Sequence, residues 1–390
     1  MQQHKEGAKM RIGFAEADIT PRLGLELSGY GYYLGRQADA VLDPLYVRAL
    51  AVEDKDRTLL VVNCDLIGLT GTMVRTIKAA WKAEYGLENE EALLLSTHTH
   101  SGPGTGLLRG CGEMDVGYVQ DLTRRIVQAG RAALGSTARV TKASRFNGIV
   151  ENIAWNRVFQ EAGPIDKGVY GLVFEREDQA PVVLVSYACH PVTLGPNHAI
   201  SADYPGRVVK ALNRAGYEAV FATGFSGDID PLQNRDNWGS GTEATIDDYG
   251  RRIAKAALRG MARARVLQDL TLDALEVPVQ LRLQSLTAEM VQHQMQEADA
   301  VRDSQRNYAR VIDEWLDEMQ GGAFSETETT TVQVLRVGEV LLVGFPGEAF
   351  TQLGLVLKRA LPQWQIITLG TANEVMRYIP VTADQENRGY

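Results

Sequence analysis

Cysteine, histidine and positive charge are all in short supply in this chain of 390 residues. The three cysteines, Cys64, Cys111 and Cys189, are scattered, odd in number and without Cys-x-x-Cys spacing. That pattern excludes a disulfide framework and fits a reducing compartment. No apolar stretch reaches the roughly 18 residues that a membrane span needs. The first ten residues, Met-Gln-Gln-His-Lys-Glu-Gly-Ala-Lys-Met, contain no apolar region of the signal-peptide kind. Stable membrane insertion is therefore not expected, and the cytoplasm is the expected location. Lys and Arg are outnumbered by Asp and Glu, giving a net charge of −9, and no basic cluster stands out. This argues against a nucleic-acid surface. What remains is ordinary for a soluble globular protein, 45% hydrophobic and 23% charged, in a chain long enough to bury a large core.

Alternating strand and helix signals organise that core. Thr58 to Asn63 is a buried-strand run leading to Cys64 and Asp65. A helical pattern follows from Met73 to Tyr85, then a strand into His98. Asp115 to Ala133 is helical, with Val119, Leu122, Ile126 and Ala129 on one face. Pro181 to Ala188 is a strand running into His190, and Glu218 to Ala222 is one that breaks into Thr-Gly-Phe-Ser-Gly-Asp. Glu243 to Arg265 is an amphipathic helix, and Leu270 to Leu283 alternates like an edge or hairpin strand. Thr287 to Gln320 reads as a long charged helix for packing or homo-oligomer contacts, Gly321 to Thr331 as a Thr-rich linker, and Val332 to Phe345 as a hairpin around Gly338. The expected fold class is α/β, with mixed β-sheets flanked by helices, in one domain over 1–390 that carries a helical excursion at about 285–330.

Four of the six histidines fall in two short motifs. Residues 93–104 read Leu-Leu-Leu-Ser-Thr-His-Thr-His-Ser-Gly-Pro-Gly, an apolar strand ending in two imidazoles and a glycine-rich turn. Strand ends are where an open α/β sheet presents its chemistry. On an extended segment His98 and His100 point to opposite faces, so that one can take a metal while the other serves a neighbouring role. Taken alone, the pair is equally readable as hydrogen-bonded structural histidines. Asp65, His98 with His100, His190 and Asp228 all sit at strand ends. A catalytic zinc needs imidazoles and carboxylates converging from separate elements at about 2.0–2.2 Å, with one position left for water. His98 and His190 would converge if their strands are neighbours. Glu348 follows Pro346-Gly347 at the expected start of a helix to Leu361, where it also reads as a first-turn residue complementing the dipole.

Several of these stretches resemble the neutral (non-lysosomal) ceramidase family. They are Ala-Asp-Ile-Thr-Pro at 17–21, Thr-His-Thr-His-Ser-Gly-Pro-Gly, His-Pro-Val-Thr-Leu-Gly-Pro-Asn-His-Ala-Ile-Ser-Ala-Asp at 190–203, Phe-Ala-Thr-Gly-Phe-Ser-Gly-Asp-Ile-Asp-Pro at 221–231 and Phe-Pro-Gly-Glu-Ala-Phe at 345–350. The motifs lie in family order over nearly the whole chain. The resemblance implies a ceramidase-like catalytic domain and a Zn2+-dependent amidase. It implies His98, His190, Glu348 and Tyr378 as metal ligands, with Tyr378 standing after the Gly-x-x-Asn stretch Gly370–Asn373. It also implies His100 as a histidine that either supports the ligands or contacts substrate, Arg157 as a substrate-binding residue and Tyr390 as a hydroxyl donor to an oxyanion. Asp228, with His100, is the expected manager of protons. Asp203 is expected to orient His190 or His198, and Asp65 and His198 are read as supports and not as ligands.

Two departures bear on the substrate. Where the family carries a catalytic serine this chain has Gly224, with Ser226 two positions on, either a substitute reached by a shift of the turn or, the preferred reading, a plain turn serine. The family's C-terminal β-sandwich lies outside the sequence. The resulting expectation is a zinc-dependent hydrolase that cleaves an amide (N-acyl) bond by attack of metal-bound water, on a small soluble substrate instead of ceramide. A metal-dependent esterase, lactonase or glycosyl hydrolase on the same site, and a catalytically degenerate zinc-binding member, are the alternatives.

Overall fold

The computed structural model of the chain describes residues 10–30, 35–108, 111–283, 288–301 and 327–381, with a few helical positions between 309 and 317. Apolar runs become strands. The largest sheet has nine strands; its main path runs Glu218–Thr223, Gln179–Tyr187, Gly168–Arg176, Ala138–Ile149, Arg11–Asp18, Tyr46–Glu53, Thr58–Cys64, Ala92–Ser96, and Arg265–Val266 pairs with Ala138–Ile149 off that path. The first two strands of the path are parallel, as are the last two, and the intervening pairs are antiparallel. A second sheet runs Leu272–Arg282, Thr327–Val337, Val340–Gly344, Gln365–Leu369. The fold class expected from the sequence is the one observed.

The core lies in layers. Leu93, Leu95, Leu172, Phe174, Leu184 and Val220 of the large sheet pack with Leu335, Leu342, Ile367 and Leu369 of the second. The opposite face of the strands near Ala92–Ser96 is covered by the helices Gly71–Tyr85 and Val116–Gly135, through Ile77, Trp81, Leu122 and Ile126. Their apolar residues recur at helical spacing, and Thr70 and Asp115 cap their first turns from the side chain. Asp203–Arg214 and Glu243–Met261 cover the other end of the sheet.

The sheet curves until its two ends approach, so that Glu218–Thr223 packs against Ala92–Ser96. Thr223 Oγ1 donates to Thr97 O at 2.7 Å across that gap. The segment 370–373 stitches it: Gly370 N donates to Thr223 O at 2.9 Å, Thr371 Oγ1 to Ser96 O at 2.8 Å, and Asn373 N to Leu94 O at 2.7 Å. His98 and His190 therefore meet through closure of the sheet and not, as the sequence reading required, through neighbouring strands.

Other boundaries differ from expectation. The helix from Glu243 stops at Met261, because Arg265–Val266 pairs as a short strand. Residues Thr327 to Thr331 are not linker but the start of an eleven-residue strand paired along its length with Leu272–Arg282. Of the charged helix expected over Thr287–Gln320, Ala288–Val301 is helical, and most of the rest lies outside the described residues. No helix among the described residues is long and apolar enough to cross a membrane.

Candidate metal centre and substrate site

Two strand ends and one short parallel strand pair supply the central side chains. His98 follows the strand ending at Ser96 and has φ 67, the left-handed region. That kink cancels the alternation expected of an extended His-Thr-His. The two rings do not point to opposite faces but lie with centroids 4.9 Å apart in one buried cluster. His190 follows the strand ending at Tyr187, and its ring lies 5.0 Å from that of His98 and 5.8 Å from that of His100. Ligand-capable nitrogens of the three histidines all fall within 4.8 Å of one another.

Glu348 is not in a helical first turn. It lies on the two-residue strand Glu348–Ala349, paired in parallel with Tyr378–Ile379 so that Glu348 and Tyr378 are Cα partners, and the helix begins only at Thr351. This pairing delivers the carboxylate and the phenol to the same place. Glu348 Oε2 lies 2.8 Å from His190 Nε2 and 3.4 Å from His98 Nε2. The Tyr378 ring stacks with that of His190 at 6.4 Å.

The tautomers follow from the outer partners. His98 Nδ1 donates to Ile67 O at 2.6 Å, and His190 Nδ1 donates to Ser226 O at 2.7 Å. A backbone carbonyl only accepts, so each Nδ1 carries a hydrogen, and in the neutral ring Nε2 is then the atom left to present a lone pair. With both rings neutral, two lone pairs and a carboxylate oxygen converge in a buried site, and only a proton on Nε2 or a cation can reconcile them. A cation between them would resolve that repulsion, and imidazole held at its far nitrogen by a carbonyl is the usual support for a metal ligand. The donor set fits a divalent metal that takes nitrogen and oxygen.

Burial would raise the Glu348 carboxyl, but the neighbouring His98 and His190 imidazoles hold it well below the usual range. Burial pushes His190 down, assisted by the Arg157 guanidinium. His100 is pushed well below its ordinary value by burial and then by His98 and His190. Both of its nitrogens lack a hydrogen-bond partner among the described residues. Tyr378 is raised well above a normal phenol by burial and by Glu348.

Arg157 stands beside the histidines. Its guanidinium donates to Gly227 O at 2.7 Å and to Tyr378 Oη at 3.1 Å, and pairs with Asp230 at 3.1 Å. Asp228, the expected partner of His100 in handling protons, is buried and hydrogen-bonded. Its carboxylate accepts from Asn156 Nδ2 at 2.8 Å and from Thr351 N at 2.7 Å, so it ties three loops together behind the site. Asp203 does not touch a histidine either: it accepts from Leu194 N and Tyr204 N and braces the turn after His190. His198 bonds Gln37 O at the surface, and Asp65 is engaged by Arg48 at 2.8 Å. Ser226 contributes its backbone carbonyl to His190. Tyr390 lies outside the described residues.

The sequence reading missed one wall of the site. Tyr30 packs on His100 with ring centroids 5.0 Å apart, and the Arg36 guanidinium lies 4.8 Å over the Tyr30 ring. Arg36 also donates to His100 O at 2.9 Å. The available signal was Gly29, at φ 113, where an added Cβ would sit 2.5 Å from His100 Cγ. Only glycine lets the imidazole lie against that backbone.

Comparison with known proteins bears on the fold and the family. Two solved structures share the fold. One, described as the neutral ceramidase from Pseudomonas aeruginosa, has a TM-score of 0.77 at 19% identity, over 98% of this chain and 70% of that one. The other, described as a ceramidase complexed with C2, has a TM-score of 0.73 at 19% identity, over 95% and 70%. No curated protein sequence matches the chain. The family model described as neutral/alkaline non-lysosomal ceramidase, N-terminal, matches residues 10–217, more than half of the chain and the part that carries His98, His100, Arg157 and His190. The chain belongs to the neutral/alkaline non-lysosomal ceramidase family.

Proposed function

We propose that the protein is a metal-dependent hydrolase of N-acyl amide bonds, with zinc as the metal and a small soluble amide as substrate. The observation that carries the proposal is the convergence of His98 Nε2, His190 Nε2 and Glu348 Oε2, with both Nδ1 atoms spent on backbone carbonyls. His98, His190, Glu348 and Tyr378 would hold the ion, and His100, the third histidine of the cluster, faces the same space. A bound divalent cation supplies Lewis acidity, which lowers the pKa of water and polarises a carbonyl.

The chain's own residues do the rest. Arg157, fixed by Asp230 and Gly227, offers a rigid guanidinium for a carbonyl or carboxylate oxygen of the substrate. His100, neutral and without a competing partner among the described residues, can take or give a proton at the leaving nitrogen. With Gly224 at the position of the family's serine, no acyl-enzyme at that residue is needed in this scheme.

Elemental analysis of the purified protein, with a panel of N-acyl amides and matched esters, tests the reading. Expected are about one ion per chain, amide turnover that is lost on chelation and restored by zinc, and a loss of metal affinity in Glu348→Gln of at least about 10–100-fold. Amide turnover that survives complete metal removal and the His98→Ala substitution would sink it. Turnover of esters alone would move the activity to the other bond.

A further inference from the structure

Rings form an unbroken series from the buried histidines to solvent. His98 contacts His100 at 4.9 Å, His100 contacts Tyr30 at 5.0 Å, and Tyr30 contacts Trp238 edge-on at 5.5 Å. Tyr30 is buried, whereas the Trp238 side chain belongs to a residue that is 47% exposed. An indole left in water beside a buried polar cluster has apolar surface to offer to something that arrives there.

The position of that indole is built. Trp238 sits in the loop after the helical turn Leu232–Arg235, and this loop is docked on the turn that follows His190. Gly195 (φ 62) and Gly239 (φ 69) bring the two backbones so close that a Cβ on Gly195 would lie 2.5 Å from Gly239 Cα. Asn234 Oδ1 accepts from Gly239 N at 3.1 Å, and Gln233 Nε2 donates to Thr193 O at 3.2 Å. These contacts hold the loop on either side of Trp238 without burying its side chain. That turn follows directly on His190, so these contacts tie the loop of the indole to the segment that bears a histidine of the cluster.

We infer that Trp238, backed by Tyr30, is a specificity-determining residue that takes a flat apolar substituent of the substrate, an aromatic ring before an alkyl chain. Edge-to-face and offset stacking on Trp and Tyr favours planar groups beyond the area they bury. The inference rests on the proposed hydrolase reading for the substrate's reacting end, since the ring series leads to His100.

A two-by-two substrate set tests it: acetyl against phenylacetyl on the acyl side, and methylamine against benzylamine on the amine side. The wild-type protein prefers the phenyl-bearing compound at one of the two positions. In Trp238→Ala that preference, as a ratio of kcat/KM values, falls about tenfold or more, chiefly through KM. In Trp238→Phe most of it is retained. A preference that is unchanged in Trp238→Ala at both positions, or a fall shared equally by all four compounds, would overturn the assignment. Phenylacetate itself separates this from failure of the hydrolase reading. If no amide is turned over, phenylacetate should still quench the indole fluorescence of the wild type, with the response lost in Trp238→Phe, and absence of that difference would also overturn it.

Discussion

At position 224 the room around the backbone decides what the residue can be. A Cβ on Gly224 would meet Ala188 Cβ at 3.0 Å, Ala188 Cα at 3.2 Å and Ala188 N at 3.3 Å, all from the strand end that leads to His190. Gly224→Ser therefore presses on the backbone next to a candidate ligand. We expect it to cost about 1–3 kcal/mol of stability, as overpacking does, and to leave amide turnover no higher than that of the parent. Urea denaturation and kcat/KM measure both; a stable variant with raised activity would show that the family's serine can be restored here. Single residues were unevenly legible. His98, His190 and Glu348 could be picked out by motif because their types are rare or sharply placed. The relation of His98 to His100 could not, because it depends on a left-handed φ that the alternation rule does not anticipate. For Asp228 and Asp203 the sequence offered no view of the backbone N–H groups that their buried carboxylates accept from, because those partners come from distant or turn segments.

Among the elements, the segment 370–378 has the most to position, for it brings Tyr378 beside Glu348. Asn373 pins it. The residue has φ 57, donates from its backbone to Leu94 O at 2.7 Å, accepts from Leu94 N at 3.3 Å and donates from its side chain to Gln333 Oε1 at 2.8 Å. Asn373→Ala removes two side-chain bonds and leaves an alanine in the left-handed region. We expect a loss of about 2–3 kcal/mol, read as a shifted denaturation midpoint; a change within about 0.5 kcal/mol, as at an ordinary surface site, would mean that the segment is held elsewhere. Long elements were the readable ones. Thr58–Cys64, Ala92–Ser96 and Gln179–Tyr187 announce themselves as apolar runs, and Gly71–Tyr85 and Val116–Gly135 as helical spacing. The pair Glu348–Ala349 with Tyr378–Ile379 is too short to leave a periodic signal, and Pro346-Gly347 before Glu348 imitates a helix start.

Across the whole molecule one buried cation makes stability depend on pH. Lys78, on the inner face of Gly71–Tyr85, donates to Asn89 O at 2.9 Å and to Gln333 Oε1 at 3.2 Å, and burial pushes its ammonium down from 10.5 to about 8. Unfolded, Lys78 keeps its proton until about 10.5, so between these values the unfolded chain binds more protons than the folded one, and stability rises with pH. Wild-type protein should gain on the order of 2 kcal/mol relative to Lys78→Met as pH rises through this window. Urea midpoints at several alkaline pH values check it, and a constant difference between the two proteins would refute it. Curvature of the large sheet was the least legible property of all, because it arises from pairing and packing between segments more than a hundred residues apart. Yet it is what makes His98, after the last strand of the path, and His190, after the second, near neighbours of Glu348. An ion gripped by all three would act as a rivet through the seam of the sheet. Its binding would add to the hydrogen bonds that already close that seam, so the stability of the closure would rise with the concentration of free metal around the protein.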